Sequence, residues 1–162
     1  MKAGYFSKDV QDFLILLDRH KVRYVIVGGE AVIYYGYPRL TGDIDFLYDI
    51  KKDNVSALFQ VLLAFWDQDI PGIRNEKELM EKGAIFQFGL PPNRLDLIND
   101  IDGLTFEEAW DSRLTVRLRI SDEEIEIHYI GRQELIKNKK ASDRPKDRDD
   151  LRFLTGETPD IT

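Results

Sequence analysis

"YVIVGGEAVIYYGYPRLTGDIDFLYD", residues 24–49, holds two oddities within one hydrophobic stretch. Gly28 and Gly29 interrupt a run that reads as a buried strand, and Asp43 and Asp45 open a second apolar run, where carboxylates are costly. Residues two apart in a strand face the same side, so Asp43 and Asp45 point together while Ile44 and Phe46 face the other way. Two carboxylates that close repel, and one takes up a proton unless a cation sits between them. Magnesium is the natural cation, being hard, oxygen-seeking and commonly held by one or two carboxylates together with substrate phosphates. The glycines complement this. A strand followed by Gly-Gly and a helix start lets backbone approach a phosphate closely, and a helix end offers unpaired N–H groups. One arrangement answers for both oddities: the corner holds a phosphate chain and the acids hold its metal.

Working outward, "SKDVQDFLILLDRH" predicts an amphipathic helix capped by Ser7, with Val10, Phe13, Leu14 and Leu17 on its apolar stripe. The run Val22–Val27 predicts a strand buried on both faces. "EAVIYYGY" starts a helix that closes near Gly36 and Pro38, and "DIDFLYDI" is a strand. "DNVSALFQVLLAFW" is a helix capped by Asp53 or Asn54, and "NEKELMEKG" a short helix ending at Gly83. "AIFQFGL", stopped by Pro91 and Pro92, and "RLDLIND" are strands; "TFEEAWDSR" is a helical turn. "LTVRLRI" and "EEIEIHYI" form two partly exposed strands around a turn at Ser121 and Asp122. "RQELIKNKKA" and "KDRDDLRFL" close the chain as helices broken at "SDRP", with 155–162 a loose tail. This order predicts an α+β fold, a mixed β-sheet with helices packed on it, as a single domain over 1–162.

Asp96, on a later apolar strand, repeats the carboxylate anomaly. If "RLDLI" pairs beside "DIDFL", three acids converge, enough to hold two metal ions for an in-line phosphoryl or nucleotidyl displacement. Plainer readings stand beside this. A strand-to-helix Gly-Gly alone is usually a tight turn, and an isolated Asp-x-Asp is more often a solvated strand end. Asp96 can equally form a structural salt bridge with Arg94 or Arg39. Arg39 and Thr41 precede the acids and can steady the loop or touch phosphate. Lys137, Lys140, Arg144 and Lys146 are candidates to neutralise a triphosphate, although a charge run on a helix is usually a solvated face. Glu30 favours the helix start. Tyr34, Tyr35 and Tyr37 can stack on a base, with packing the plainer alternative. His20 and His128 have no support as ligands.

The composition limits the alternatives. A chain of 162 residues, 43% hydrophobic, is enough for one core. No apolar stretch approaches the roughly 20 residues of a membrane span, and Asp9 and Asp12 interrupt any signal-peptide core at the start. The absence of cysteine excludes disulfides and thiolate metal sites and fits a cytoplasmic location. A net charge of −7 argues against a general nucleic-acid coat.

The sequence resembles the nucleotidyltransferase superfamily, the polymerase-beta-like fold, whose signature is an apolar strand, Gly-Gly or Gly-Ser, a helix, then acid-apolar-acid-apolar. Here these are Gly28, Gly29, Asp43, Ile44, Asp45 and Phe46. The string "VGGEAVIYYGYPRLTGDIDFL" is similar to the small prokaryotic branch associated with toxin–antitoxin and abortive-infection systems, in which "GG-x-A", a later Gly and "R-x-T-x-D-I-D" recur together. "LIKNKKASDRPKDRDDLRFL" resembles the closing helices of that branch, so the likeness runs from the first helix to Leu154. It implies that Asp43 and Asp45 bind Mg2+ and, through it, the NTP phosphates, with Asp96 the third acid near the attacking hydroxyl. It implies that Gly28 and Gly29 contact the β- and γ-phosphates. Many relatives carry Ser after the first Gly; Gly29 has no hydroxyl to offer. The implied activity moves NMP from an NTP to a tRNA 3′ end or a partner protein, with a cognate toxin or antitoxin as a possible partner. The alternatives are a non-catalytic, antitoxin-like binding module on the same fold and, less well matched, a sugar-nucleotide glycosyltransferase.

Overall fold

The computed structural model describes residues 3–156. Six strands form one mixed sheet: β1 (Tyr24–Val27), β2 (Asp43–Tyr48), β3 (Ile85–Phe88), β4 (Arg94–Ile98), β5 (Leu114–Ile120) and β6 (Glu123–Tyr129), in the order β3-β4-β2-β1-β6-β5. β1 is central, antiparallel to β2 and parallel to β6; β4 runs parallel to β2. β3 and β5 pair antiparallel with β4 and β6 at the edges. All four β1 residues are buried, as a strand flanked on both sides and covered on both faces requires. The α+β, mixed-sheet expectation is met.

Helix α1 (Lys8–Arg19) begins where Ser7 accepts a hydrogen bond from the Val10 N–H, and it buries Val10, Phe13, Leu14 and Leu17, the stripe its periodicity predicts. Phe13 meets Phe46 of β2 edge-on at 5.3 Å between ring centroids, and Phe65 of α3 (Lys52–Phe65) at the same separation. Helices α1 and α3 thus cover the face that carries Ile44 and Phe46. Strand alternation turns Asp43 and Asp45 to the opposite face, towards α5 (Arg132–Ser142), which packs with α6 (Pro145–Leu154). The remaining helices are α2 (Gly28–Tyr34) and α4 (Phe106–Asp111).

Several boundaries differ from the expectation. Helix α2 starts on Gly28 itself, with no separate turn. Neither Asp53 nor Asn54 caps α3, which is preceded by Lys51. Asn54 is instead buried, accepting from the Arg23 N–H at 2.7 Å and donating to the carbonyls of Arg23 and Asp49. A tertiary tie between the start of β1 and the end of β2 therefore outcompetes a local cap. "NEKELMEKG" forms a 3-10 helix, Glu76–Met80, with Asn75 and Glu78 as a reciprocal capping box. Of the tail, Thr155 donates to the Leu151 carbonyl and ends α6; 157–162 lie outside the described residues. Among the described residues no helix is long and apolar enough to cross a membrane.

Candidate active site

The register of β2 on β4 builds the site. Asp45 stands opposite Asp96 and Asp43 opposite Arg94. Period-two alternation then places all four side chains on one face. One carboxylate oxygen from each of Asp43, Asp45 and Asp96 lies within 4.8 Å of the others, a donor set suited to a hard divalent cation. The structure thus brings together the three acids singled out in the sequence.

Their electrostatics are unequal. Burial, then the charges of Asp43 and Asp96, push the Asp45 carboxyl up to about 7. Burial also opposes charge on Asp43, but its contacts with Asp96, the Thr41 hydroxyl and the Arg94 guanidinium outweigh this and lower its pKa below the ordinary value. Arg94 lies across two of the acids: Nε donates to Asp96 Oδ1 at 2.9 Å, and Nη2 donates to Asp96 Oδ2 and Asp43 Oδ2 at 3.1 Å each. The salt bridge foreseen for Asp96 with Arg94 therefore coexists with the carboxylate cluster. Thr41 Oγ1 donates to Asp43 Oδ1 at 3.1 Å, so this threonine steadies the first acid directly.

The glycine corner is shaped by the same side chains. Gly28 has φ +66°, and a β-carbon there would overlap the Asp45 carboxylate. A β-carbon on Gly29 would lie 2.8 Å from Arg39 Nη2 and 2.9 Å from Thr41 Oγ1. The room that a serine would use at position 29 is filled by those two polar groups. Arg39 also forms an ion pair with Asp150 of α6, Nε to Oδ1 at 2.9 Å and Nη2 to Oδ2 at 3.1 Å, which ties the loop before the acids to that helix.

Sequence reading missed the residue on the far side of Asp150. Lys139 is 2% exposed, and its Nζ lies 3.0 Å from both Asp147 and Asp150. Burial opposes the charge of Asp147, but hydrogen bonds from Arg144, Lys139 and Ser142 prevail and hold its pKa well below the usual carboxylate range. The signal was a lysine spaced to meet Asp147 and Asp150 of the next helix, hidden in a run of lysines. Its neighbours differ. Lys137 is exposed and pairs with Glu108, and Lys140 is exposed. Neither of these two triphosphate candidates lines a cleft at the acids.

Two clefts open beside the carboxylates. One, about 350 Å³, runs from Gly28 and Asp45 to Asn138, Ser142 and Arg144, with Ile85 and Ile98 also lining it. The other, about 280 Å³, runs from Asp43 and Thr41 to Tyr5 and Glu30. Glu30 does more than favour a helix start: it is buried, accepts from the hydroxyls of Tyr5 and Tyr129, and is pushed up to about 7 by burial. The three tyrosines pack. Tyr34 stacks on Tyr129 at 4.1 Å, Tyr35 donates to the Ile130 carbonyl, and Tyr37 stacks on Phe153. His20 caps the end of α1, and His128 is engaged by Thr115 and Trp110.

No curated protein matches the chain. The family model described as "Nucleotidyltransferase of unknown function (DUF6036)" matches residues 8–154, nearly the whole of it, including every residue of the carboxylate cluster, the glycine corner and the Lys139 network. With that span and the three acids aligned on adjacent strands, the chain belongs to this nucleotidyltransferase family.

Proposed function

We propose that this chain is a magnesium-dependent nucleotidyltransferase of polymerase-beta-like fold that moves NMP from an NTP to a hydroxyl of a macromolecular acceptor and releases pyrophosphate. The observation that carries the reading is the convergence of Asp43, Asp45 and Asp96 on one face of adjacent strands, within a family of nucleotidyltransferases. The donor set suits the metal: three carboxylates offer hard oxygen ligands, and Asp45 forms no salt bridge among the described residues, Arg144 acting on it only as a longer-range charge. When bound there, magnesium would neutralise the phosphates and lower the pKa of the acceptor hydroxyl.

The chain's own residues have separable tasks. Asp43 and Asp45 would hold the metal, and Asp96, whose oxygens also accept from Arg94, would take up the hydroxyl proton. Gly28, with no side chain, leaves its part of the larger cleft open to a phosphate chain, while Arg144 on the same cleft supplies positive charge and Asn138 and Ser142 supply polar contacts. Helix α2 spans only seven residues, so phosphate contact at the corner rests on individual backbone N–H groups rather than on a long dipole. The acceptor is a tRNA 3′ end or a protein side chain, the location cytoplasmic, and the setting a toxin–antitoxin pair. A binding-only module on the same fold is the second reading, favoured by Arg94 already saturating much of the acid cluster.

The test is label transfer. Full-length protein, Mg2+ and each of four α-labelled NTPs are incubated with cell lysate beside the Asp43→Asn/Asp45→Asn protein. A labelled species absent from the variant supports transfer, and its sensitivity to ribonuclease or protease gives the acceptor class. No label with any nucleotide, from a folded protein, turns the reading to the binding module.

A further inference from the structure

We propose that the chain carries a second binding site, for a small carboxylate, at the end of β1 away from the glycine corner, where Tyr24 and Arg113 each hold a buried hydrogen-bond donor without an acceptor. The site is independent of the nucleotidyl-transfer reading.

It is a cavity of about 190 Å³ walled by the end of α1, the start of β1, strand β6 and the turn after α4. It shares no lining residue with either cleft at the acids. Tyr24 is 1% exposed and opens β1, whose last residue, Val27, precedes the corner. The backbone N–H of His128 bears on the Tyr24 oxygen, but an N–H only donates. The hydroxyl proton therefore has no acceptor among the described residues. Arg113 is held from its other side. Its guanidinium lies 3.6 Å over the Trp110 ring and Nη1 donates to the Trp110 carbonyl at 2.8 Å, while the buried Nε has no hydrogen-bond partner. Buried donors left unpaired are costly, so two of them on one cavity call for an acceptor within it.

Charge alone does not choose the occupant. Arg23 also lines the cavity but is committed to Asp49 and Asp53. Exposed Lys21 and Glu126 offset one another, and Asp18 offsets Arg113. One Asp18 oxygen already accepts from the Glu126 N–H at 3.2 Å. Burial, then the charge of Arg113, lowers the His128 pKa, so that ring adds no charge near neutrality. Hydrogen bonding does choose. A carboxylate brings two oxygens, one for the hydroxyl and one for Nε, and its bond to a guanidinium is charge-assisted. A neutral carbonyl brings one oxygen and no charge. The rings of Tyr24, His128 and Trp110 succeed one another at 5.4 Å and 5.2 Å, an apolar wall for the body behind the carboxylate. The volume lies below the roughly 300 Å³ at which pockets take drug-sized ligands, so the molecule is small.

The experiment titrates full-length, nitrogen-15-labelled protein with acetate, with acetamide as the neutral counterpart and sodium chloride as the ionic-strength reference. The Arg113 Nε–H and Trp110 indole resonances are followed. Acetate is expected to shift both saturably, and acetamide to bind at least about tenfold more weakly. Tyr24→Phe removes only a hydroxyl that has no acceptor in the fold, and is expected to weaken acetate at least about fivefold. Arg113→Met should abolish the saturable indole shift, while Asp43→Asn/Asp45→Asn binds acetate as wild type does. No saturable shift, the result if water alone satisfies the two donors, overturns the proposal. So does acetamide binding as tightly as acetate, or Tyr24→Phe binding as wild type does. Should Arg113→Met not fold, Tyr24→Phe and the acetamide comparison decide alone.

Discussion

The carboxylate of Asp45 rests on the α-carbon of Gly28, so closely that a β-carbon at position 28 would overlap it. Strand β2 and the start of α2 therefore meet through an acid and a residue with no side chain. Gly28→Ala incurs two costs: a left-handed backbone at φ +66°, about 1–2 kcal/mol, and displacement of Asp45. Urea unfolding is expected to show a loss greater than the backbone cost alone. In an Asp45→Ala background the same substitution should fall back to about 1–2 kcal/mol, because only the backbone strain remains. Equal losses in both backgrounds would show that Asp45 yields freely.

Asp45 also makes the metal-free protein sensitive to pH. Its folded pKa is raised from 3.8 to about 7, so the folded state holds the proton more tightly than the unfolded one. Stability is then lost as pH rises from about 4 through about 7. Asp45→Asn removes that loss. In EDTA at about pH 8 the variant is expected to be more stable than wild type by on the order of 1–3 kcal/mol, with the difference fading towards about pH 4. Glu30, also raised to about 7, titrates in the same window but is present in both proteins and cancels from the comparison. A constant difference across that window would contradict this origin.

Magnesium should reverse the penalty. An ion at one hundred times its dissociation constant stabilises the native state by about 2.7 kcal/mol. Thermal unfolding at about pH 8 is expected to move upward with Mg2+ and return on chelation, while Asp43→Asn/Asp45→Asn stays where it was. A shift of the same size in the double variant would place the ion elsewhere.

Lys139 is the fixed point of the C-terminal helices. Its ammonium is shared by Asp147 and Asp150, both almost wholly buried. Lys139→Met leaves these carboxylates short of a buried partner and is expected to cost about 3–5 kcal/mol in urea unfolding. A loss under about 1 kcal/mol, the range of exposed pairs, would mean that Arg39 and Arg144 compensate.

The departure at Gly29 has its own test. Gly29→Ser must displace Arg39 Nη2 and Thr41 Oγ1, and with Arg39 the ion pair to Asp150. A loss of about 1–3 kcal/mol is expected, and most of it should disappear when Arg39 is already alanine. If Gly29→Ser is neutral in wild type, the guanidinium has another place to go.

The sequence made much of this legible because the signals were local. Val10, Phe13, Leu14 and Leu17 declare one helix face at a period of 3.6, and Ser7 declares where it begins. Asp43 and Asp45 must share a face in any strand. Where reading failed, a distant partner had claimed the residue. Asn54 looked like a cap and became a tie between two strand ends. Lys137 and Lys140 stood out in a basic run, yet Lys139 between them is the one that α6 buries.

The sequence by itself determined the elements, the corner at Gly28 and Gly29, and the shared direction of Asp43 and Asp45, because each follows from alternation or from a missing β-carbon within a few residues. Only the tertiary structure decided that β4 lies parallel beside β2 with Asp96 opposite Asp45, that Arg94 thereby spans two acids, and that Asp150 joins Lys139 to Arg39. Strand register and burial are set by packing between segments far apart in the chain, and a local pattern carries no record of which segment will be its neighbour.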